Sequence, residues 1–553
     1  MAGTPSAGRA SGTATGPSIR ILFILIFAIL VLAADSSLAS PSNPEMRRLG
    51  FEERPVMMIL GAGSGAVPAP GIHQIEEEEE EAASGESEPP AGPAIGQEYS
   101  PILLPSADAI LLDPPADPSS AAIAAELQEI RDLQAGATEE ALERVAFWTA
   151  VPSSVRWNEI ARSLVIKYQT DPPMASRVYA LVSVAQYDGL VAAGANAERF
   201  SRPPPGHLDP GVTLLDPRSD RSGGAVGVAA DEAAARETGA LVVAAAETAT
   251  SSYPSEGAVV GAASAAVLAY LYPDEFAYLE GLLQDQEEAL VLAGAAFPSD
   301  VEAGDLLGRR VAELVIDHAR SDGSDLVGEV NVPVGPGYWT GDDPLRPLWD
   351  KVTPWTTDDI TRYRPGPPPS YGTPEFVASL EEVRRIAYGR TEEERRISEF
   401  WADGTGTYTP PGHWNAIASD LIADRGLGEL ESARTLAVLN IALMDAGISC
   451  WDAKYHYWLL RPWMADPRIT TSVAKPPFPS YTSGHASFSG AASAVLGCIF
   501  PDDGDEIAAM AEEAAASRLY GGIHYRFDND EGLESGRTIG LAAVEMVMKE
   551  GCY

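Results

Sequence analysis

The chain carries the same helical pattern twice, and this duplication constrains its fold more than any other feature. Leu127, Arg131, Thr138-Glu139-Glu140 and Phe147-Trp148 line up with Leu380, Arg384, Thr391-Glu392-Glu393 and Phe400-Trp401. Trp157-Asn158 recurs as Trp414-Asn415, Arg177 and Asp188 as Arg434 and Asp445, and Gly308-Arg309 as Gly536-Arg537. A period this long excludes a solenoid of short repeats. Between the matched positions, apolar residues fall three and four apart among Ala, Leu and Glu, which is helical periodicity. No alternating run long enough for a strand interrupts it. The expected fold is all-α, with two related four-helix-bundle halves.

The repeat also separates packing from chemistry. A residue that recurs serves the shared fold, whereas one found in a single half serves something else. Ser483-Gly484-His485 stands where the first half has Ser255-Glu256-Gly257, and Arg518 and His524 stand where it has Leu290 and Ala296. By the same test Asp528, matched by Asp300, is expected to be structural, as are Arg434, Asp445 and the Trp-Asn pairs.

The residues special to the second half are cations and histidines. Lys454 precedes Arg461-Pro462 by about two helical turns, which on one helix puts both side chains on one face, with Pro462 ending or kinking that helix. Only five lysines occur in the chain, and aromatic residues crowd this one: Trp451, Tyr455, Tyr457, Trp458 and Trp463. Ser483-Gly484-His485 follows a proline-rich turn and opens an apolar stretch, so it reads as a helix N-terminus. There the free N–H groups and the helix dipole favour an anion. Gly521-Gly522 lets the chain turn after Arg518 and bring His524 back toward it. Such a set suits a tetrahedral or bipyramidal oxyanion. His73, His207, His318, His413 and His456 have no partner apparent in sequence.

Charge narrows the partners. The formal net charge is −42, from 80 acidic and 38 basic residues. A surface this acidic repels nucleic acid and anionic membranes, so neither is an expected partner. Residues 21–34, fourteen apolar positions after Arg9 and Arg20 with Ser37-Leu38-Ala39 behind, read as a secretory signal over 1–39. The chain is therefore expected to be exported, periplasmic or extracellular, or held by an N-terminal anchor if the signal is uncleaved. One such segment cannot supply a multi-span membrane core. Residues 40–119, rich in Pro, Gly, Ser and Glu with the run Glu76–Glu81, are expected to be a disordered acidic linker. An N-terminal bundle with a connecting segment over 120–375 and a C-terminal bundle with the oxyanion site over 376–553 complete the expected organisation. Three widely spaced cysteines, Cys450, Cys498 and Cys552, allow at most one disulfide and no zinc site.

In order, Lys454-x6-Arg461-Pro462, Ser483-Gly484-His485 and Ser517-Arg518-x5-His524-x3-Asp528 closely resemble the type 2 phosphatidic acid phosphatase / vanadium haloperoxidase superfamily. Trp451-Asp-Ala-Lys454 and Pro477-Phe478-Pro-Ser-Tyr-Thr-Ser-Gly-His485 look most like its vanadium chloroperoxidase branch. The resemblance implies a vanadate cofactor with His524 on the metal at its apical position. Lys454, Arg461, Ser483, Gly484 and Arg518 would hold the equatorial oxygens, and His485 would serve as general acid/base. Trp451 and Phe478 fall at the aromatic positions of the halide pocket. The implied substrates are hydrogen peroxide, a halide and an organic acceptor. A soluble acid phosphatase, with His524 attacking a phosphate ester to form a phosphohistidine, uses the same residues; a non-catalytic oxyanion-binding protein is the third reading. One departure stands out. Thr482 occupies the place before Ser-Gly-His that is usually proline in this family, where it could supply another hydroxyl.

Overall fold

The computed structural model describes residues 99–215 and 251–549. The expected signal over 1–39 and the linker as far as residue 98 lie outside the described residues. Within them the protein is all-helical, with two isolated β-bridges and no strand. The helices of the first half are α1 (Ala121–Ala135), α2 (Glu139–Thr149), α3 (Ser153–Lys167), α4 (Pro172–Phe200), α5 (Pro205–Leu208), α6 (Glu256–Leu271), α7 (Phe276–Leu292) and α8 (Pro298–Ser321). Those of the second are α9 (Pro374–Gly389), α10 (Glu392–Phe400), α11 (Thr409–Arg425), α12 (Glu429–Tyr457), α13 (Pro462–Ala465), α14 (Gly484–Ile499), α15 (Gly504–Tyr520) and α16 (Arg526–Met548).

Helix lengths match in order: 29 residues in both α4 and α12, 16 in both α6 and α14, 17 in both α7 and α15, and 24 against 23 in α8 and α16. Start signals recur too, with Ser120 and Thr373 capping α1 and α9 through their hydroxyls. One apolar core crosses both halves, including Trp157, Tyr179 and Leu268 from the first and Trp414, Leu436 and Phe488 from the second. Helices α4 and α12 run through it, buried on nearly every side. Each is long and apolar enough to cross a membrane, but each is enclosed by other parts of this protein.

Two expectations need correction. Residues 99–119 are ordered rather than linker. The backbone N–H groups of Ile102, Leu103 and Leu104 donate to Asp188 at 2.6 to 2.9 Å, and Asn196 binds Leu112 N–H and the Ile110 carbonyl at 3.0 Å. A buried carboxylate with three N–H donors gives this Pro-rich segment a partner that composition does not disclose. The second half repeats the device: Asp445 accepts from the N–H groups of Trp355 and Thr356 at 2.9 and 2.8 Å.

Secondly, Lys454 and Arg461 do not share a helix. Trp458 takes a left-handed conformation (φ 53°) and its N–H closes on the Lys454 carbonyl, ending α12 there. Leu459 and Leu460 then run extended beside Gly337 and Tyr338, and Pro462 starts α13 instead of stopping a helix.

Helices α14 and α16 pack through small residues. Gly532, Gly536 and Gly540 lie one turn apart on α16, against the backbone of α14. A Cβ on Gly540 would come within 2.5 Å of the Ala491 carbonyl, and one on Gly536 would run into that of Ser487. This close approach sets the start of α16 beside the start of α14. Gly281 in α7 has nothing within 4 Å of an added Cβ. Gly536→Ala should therefore destabilise by about 1–3 kcal/mol through overpacking, while Gly281→Ala should stabilise by about 0.5–1 kcal/mol through backbone entropy. Denaturant titration of both variants measures the difference; equal effects would contradict the packing.

Candidate active site

The Pro-rich ribbon Phe478–Thr482 is threaded between two buried cations. Lys454, fully buried on α12, donates to the carbonyls of Pro479 (3.1 Å), Ser480 (3.0 Å) and Thr482. Arg461 donates through Nε to the Phe478 carbonyl and through Nη1 to that of Ile523, both at 2.9 Å. Its Nη2 is buried without a partner. Arg518, at the end of α15, donates to the Ser517 hydroxyl and the Ser398 carbonyl, both at 2.8 Å. Among the described residues none of the three forms an ion pair with a carboxylate, although the charge of Asp528 bears on Lys454 and Arg461 and that of Asp403 on Arg518. Burial holds the Arg461 and Arg518 guanidinium pKa values down to about 10, still charged at neutral pH. Burial lowers that of the Lys454 ammonium as well, though all three of its protons have acceptors.

His524 joins them. Helix α15 ends at Tyr520, and Gly522 (φ 72°) turns the chain back. The Asp528 carboxylate takes the His524 Nδ1 proton at 2.8 Å, and Arg461 Nη1 donates to Nε2 at 2.9 Å. An arginine only donates, so Nε2 carries a lone pair. Burial first, then Arg461, Lys454, His485 and Arg518, push the imidazole pKa well below its ordinary value. Of these groups Arg461 is the one in hydrogen-bond contact with the ring.

Ser483 caps α14, its hydroxyl accepting from Ala486 N–H, and Gly484 is the first residue of that helix. A Cβ on Gly484 would meet nothing closer than 3.6 Å, so protein packing alone does not demand glycine here. His485 is half-buried, and its Nε2 donates to the Ala402 carbonyl at 3.3 Å. A carbonyl only accepts, so in the neutral ring Nδ1 is bare. Burial and then Arg518 keep the ring neutral, holding its pKa well below the usual range. Trp451 and Phe478 pack at 5.1 Å, and the Phe478 ring lies 5.1 Å from Lys454 Nζ and 5.0 Å from the Arg461 guanidinium.

The Thr482 hydroxyl faces Cys450 Sγ and Ser487 Oγ, each at 3.5 Å; its carbonyl, not its hydroxyl, serves the site through Lys454. Cys450 is a free buried thiol.

Residues 434–552 match the PAP2 superfamily. That segment is a PAP2-superfamily domain. The vanadium chloroperoxidase of Curvularia inaequalis is 26% identical over 209 residues, covering 29% of this chain. The match spans 34% of that curated relative's length. The crystal structure of a bacterial vanadium-dependent iodoperoxidase superposes with a TM-score of 0.56 at 24% identity, over 72% of this chain and 97% of its own; this likeness is one of fold. A holo-type bacterial vanadium-dependent chloroperoxidase aligns at 15% identity and TM-score 0.49, over 69% and 93% of the two chains.

Asp528 has the structural role expected of it and a second one besides. Asp300 and Asp528 share one task, accepting the N–H of the residue that precedes their helix, Phe297 or Tyr525. Only Asp528 also holds a histidine, and its Oδ2 takes the Ser480 hydroxyl at 2.5 Å besides. The four-residue spacing from His524 was the available signal. Asp528→Asn should weaken oxyanion binding about 10- to 100-fold, as removal of a ligand's orienting partner does; phosphate titration of the purified protein measures it.

The neutral histidines also set a pH dependence. Below about pH 6.5 the unfolded chain protonates its histidines, while His485 and His524 stay neutral in the fold. The unfolded state then binds more protons, so stability falls as pH drops. Asp528, whose pKa burial raises, acts with the opposite sign. His485→Gln should flatten the decline of Tm between about pH 6.5 and 5; a curve parallel to wild type would show that His485 is charged in the fold.

Proposed function

We propose that the protein is a vanadate-dependent haloperoxidase, converting hydrogen peroxide, a halide ion and a proton to a hypohalous acid and water. One observation carries the reading: Lys454, Arg461 and Arg518 are buried without an ion-pair partner, and Arg461 donates to an unprotonated imidazole nitrogen of His524. The residues fit the cofactor. The unpartnered Arg461 Nη2, the Lys454 ammonium, Arg518, the Ser483 hydroxyl and the Gly484 N–H would hold vanadate oxygens, and His524 Nε2 would take the metal. Bound vanadate supplies a Lewis acid that makes hydrogen peroxide electrophilic toward halide. Likeness to a vanadium chloroperoxidase supports the same cofactor here.

The protein's own groups have definite tasks in this reading. Asp528 keeps the Nδ1 proton of His524 in place, so that Nε2 faces the oxyanion. His485, bare at Nδ1, accepts a proton from the incoming hydrogen peroxide and later returns it to the leaving oxygen. Trp451 and Phe478 form an apolar wall beside Lys454 that excludes water from the halide. The same neutral His524, backed by a carboxylate, is equipped to attack a phosphate ester, so phosphatase activity is the competing outcome.

We further infer that the two halves arose by duplication and that the first has lost the site. Asn158 binds Asn415, and Ser183 binds Asn440, each pair 257 residues apart. Bonds between equivalent positions are what a two-fold relation between the halves produces. The Tyr253 and Tyr481 hydroxyls likewise donate to the carbonyls of Asp113 and Gly366, both at 2.7 Å.

Purified protein with peroxide, bromide and a halogen-accepting dye should show turnover that depends on added orthovanadate. His524→Ala should abolish it, and His73→Ala should leave it intact. Release of nitrophenol from nitrophenyl phosphate, inhibited by vanadate, would instead establish the phosphatase; phosphate binding without either activity would leave a binding protein. Arg461→Ala should weaken vanadate binding by about 1.5–3 kcal/mol, roughly ten- to hundredfold in Kd.

A further inference from the structure

A histidine without a partner apparent in sequence lies behind His485. His413 is buried on α11, and its Nδ1 donates to Asp403 at 2.9 Å. Its ring stacks on Trp401 at 4.5 Å and 22°, with Phe400 at 5.2 Å edge-on. Asp403 and Trp401 flank Ala402, whose carbonyl takes the Nε2 proton of His485. The helix leading into this turn supplies the Ser398 carbonyl to Arg518. One short stretch of backbone therefore holds two members of the site. It precedes the matched PAP2 segment, which begins at residue 434.

The turn is built under strain. Asp403 and Thr409 take positive φ, 39° and 67°, and Thr409 is β-branched, with a fully buried hydroxyl that finds no partner. Backbone held in such conformations persists only where the surroundings over-determine it, and clusters at functional sites. Here the surroundings are the His413–Asp403 bond, the Trp401 Nε1 bond to Glu513 at 2.9 Å, and the Tyr179 hydroxyl of α4 on the Tyr408 carbonyl at 3.0 Å. In the first half, where the site residues are absent, Arg156 stands in the place of His413 and covers the Phe147 ring instead.

We propose that His413 is a positioning residue for His485: clamped by Asp403, it fixes the turn whose Ala402 carbonyl dictates which nitrogen of His485 is bare. The proposal rests on the reading of His485 as the acid/base group. Its task is orientation, as a carboxylate–histidine pair orients a ligand through a hydrogen bond it does not itself make to substrate.

The test reads the tautomer directly and does not need the reaction. In full-length protein with 15N-labelled histidine, long-range 15N–1H correlations report each ring; seven histidines are present, and His485→Gln identifies the signal of interest. Wild type should show His485 protonated at Nε2. In His413→Phe, which keeps the aromatic stack, and in Asp403→Asn, which keeps the shape, the His485 signals should move toward a mixture of tautomers. Turnover, whether halogenation or phosphate release, should fall roughly 10- to 100-fold, and vanadate affinity, which Arg518 and its Ser398 partner also serve, should fall by a smaller factor than turnover. An Nδ1-protonated His485 in wild type overturns the proposal, as do unchanged His485 signals in both variants. Absence of any turnover in wild type, with the tautomer as expected, would count against the haloperoxidase reading and not against this one.

Discussion

Buried positive charge without negative charge beside it is the constraint on which this architecture depends. Elsewhere in the molecule buried arginines are neutralised: Arg177 by Asp322 at 2.6 Å and Arg202 by Asp300 at 2.7 Å. In the second half Lys454, Arg461 and Arg518 are given carbonyl and hydroxyl oxygens instead. Neutral acceptors satisfy donor geometry while leaving the charge uncompensated, and a buried charge in that condition is expensive. The carboxylates whose charge reaches the group are otherwise committed, Asp528 to His524 and Ser480 and Asp403 to His413. In the proposed function a multiply charged anion would restore the balance, receiving what the carbonyls cannot give.

That charge can be assembled only because the backbone is held by something stronger than the site itself. The ribbon that feeds carbonyls to Lys454 and Arg461 leads straight into the cap of α14, and α14 is locked to α16 by glycines. Ser483 N–H donates to the Asp528 carbonyl at 2.9 Å, tying the anion-facing helix start to the residue that orients His524. From the other side, the 337–345 segment binds Trp451, Tyr455 and Leu460. Repulsion among the cations is thus opposed by helix packing and backbone hydrogen bonds set outside the pocket.

The parts legible in sequence were those in which one residue does one job. A helical period, a Ser cap before an apolar run and a Gly pair before a turn each carry a local physical meaning, and α14 and the Gly521-Gly522 reversal follow from them. The misplaced parts involved residues with two partners or with distant ones. The two-turn spacing of Lys454 and Arg461 suggested one helix, but Trp458 ends it in a left-handed cap that nothing in an aromatic run announces. Residues 99–119 look like linker by composition because their hydrogen-bond partner, Asp188, lies far along the chain. Asp528 was set aside because it recurs, yet a recurring cap can take a different second partner in each copy, Arg202 for Asp300 and His524 for Asp528.

His413 illustrates the same blind spot from the opposite direction. In sequence it follows Thr-Pro-Pro-Gly and reads as a loop histidine, whereas the fold makes those prolines the first turn of α11 and buries the ring. Its significance comes from Asp403 and from the carbonyl between Asp403 and Trp401, neither of which a helical spacing could place beside it. The first half also contributes here, since the Tyr179 hydroxyl braces the Tyr408 carbonyl and an added Cβ on Gly412 would meet that hydroxyl at 2.7 Å. Helix α4, far from the oxyanion residues in sequence, therefore still supports the turn against which His485 rests.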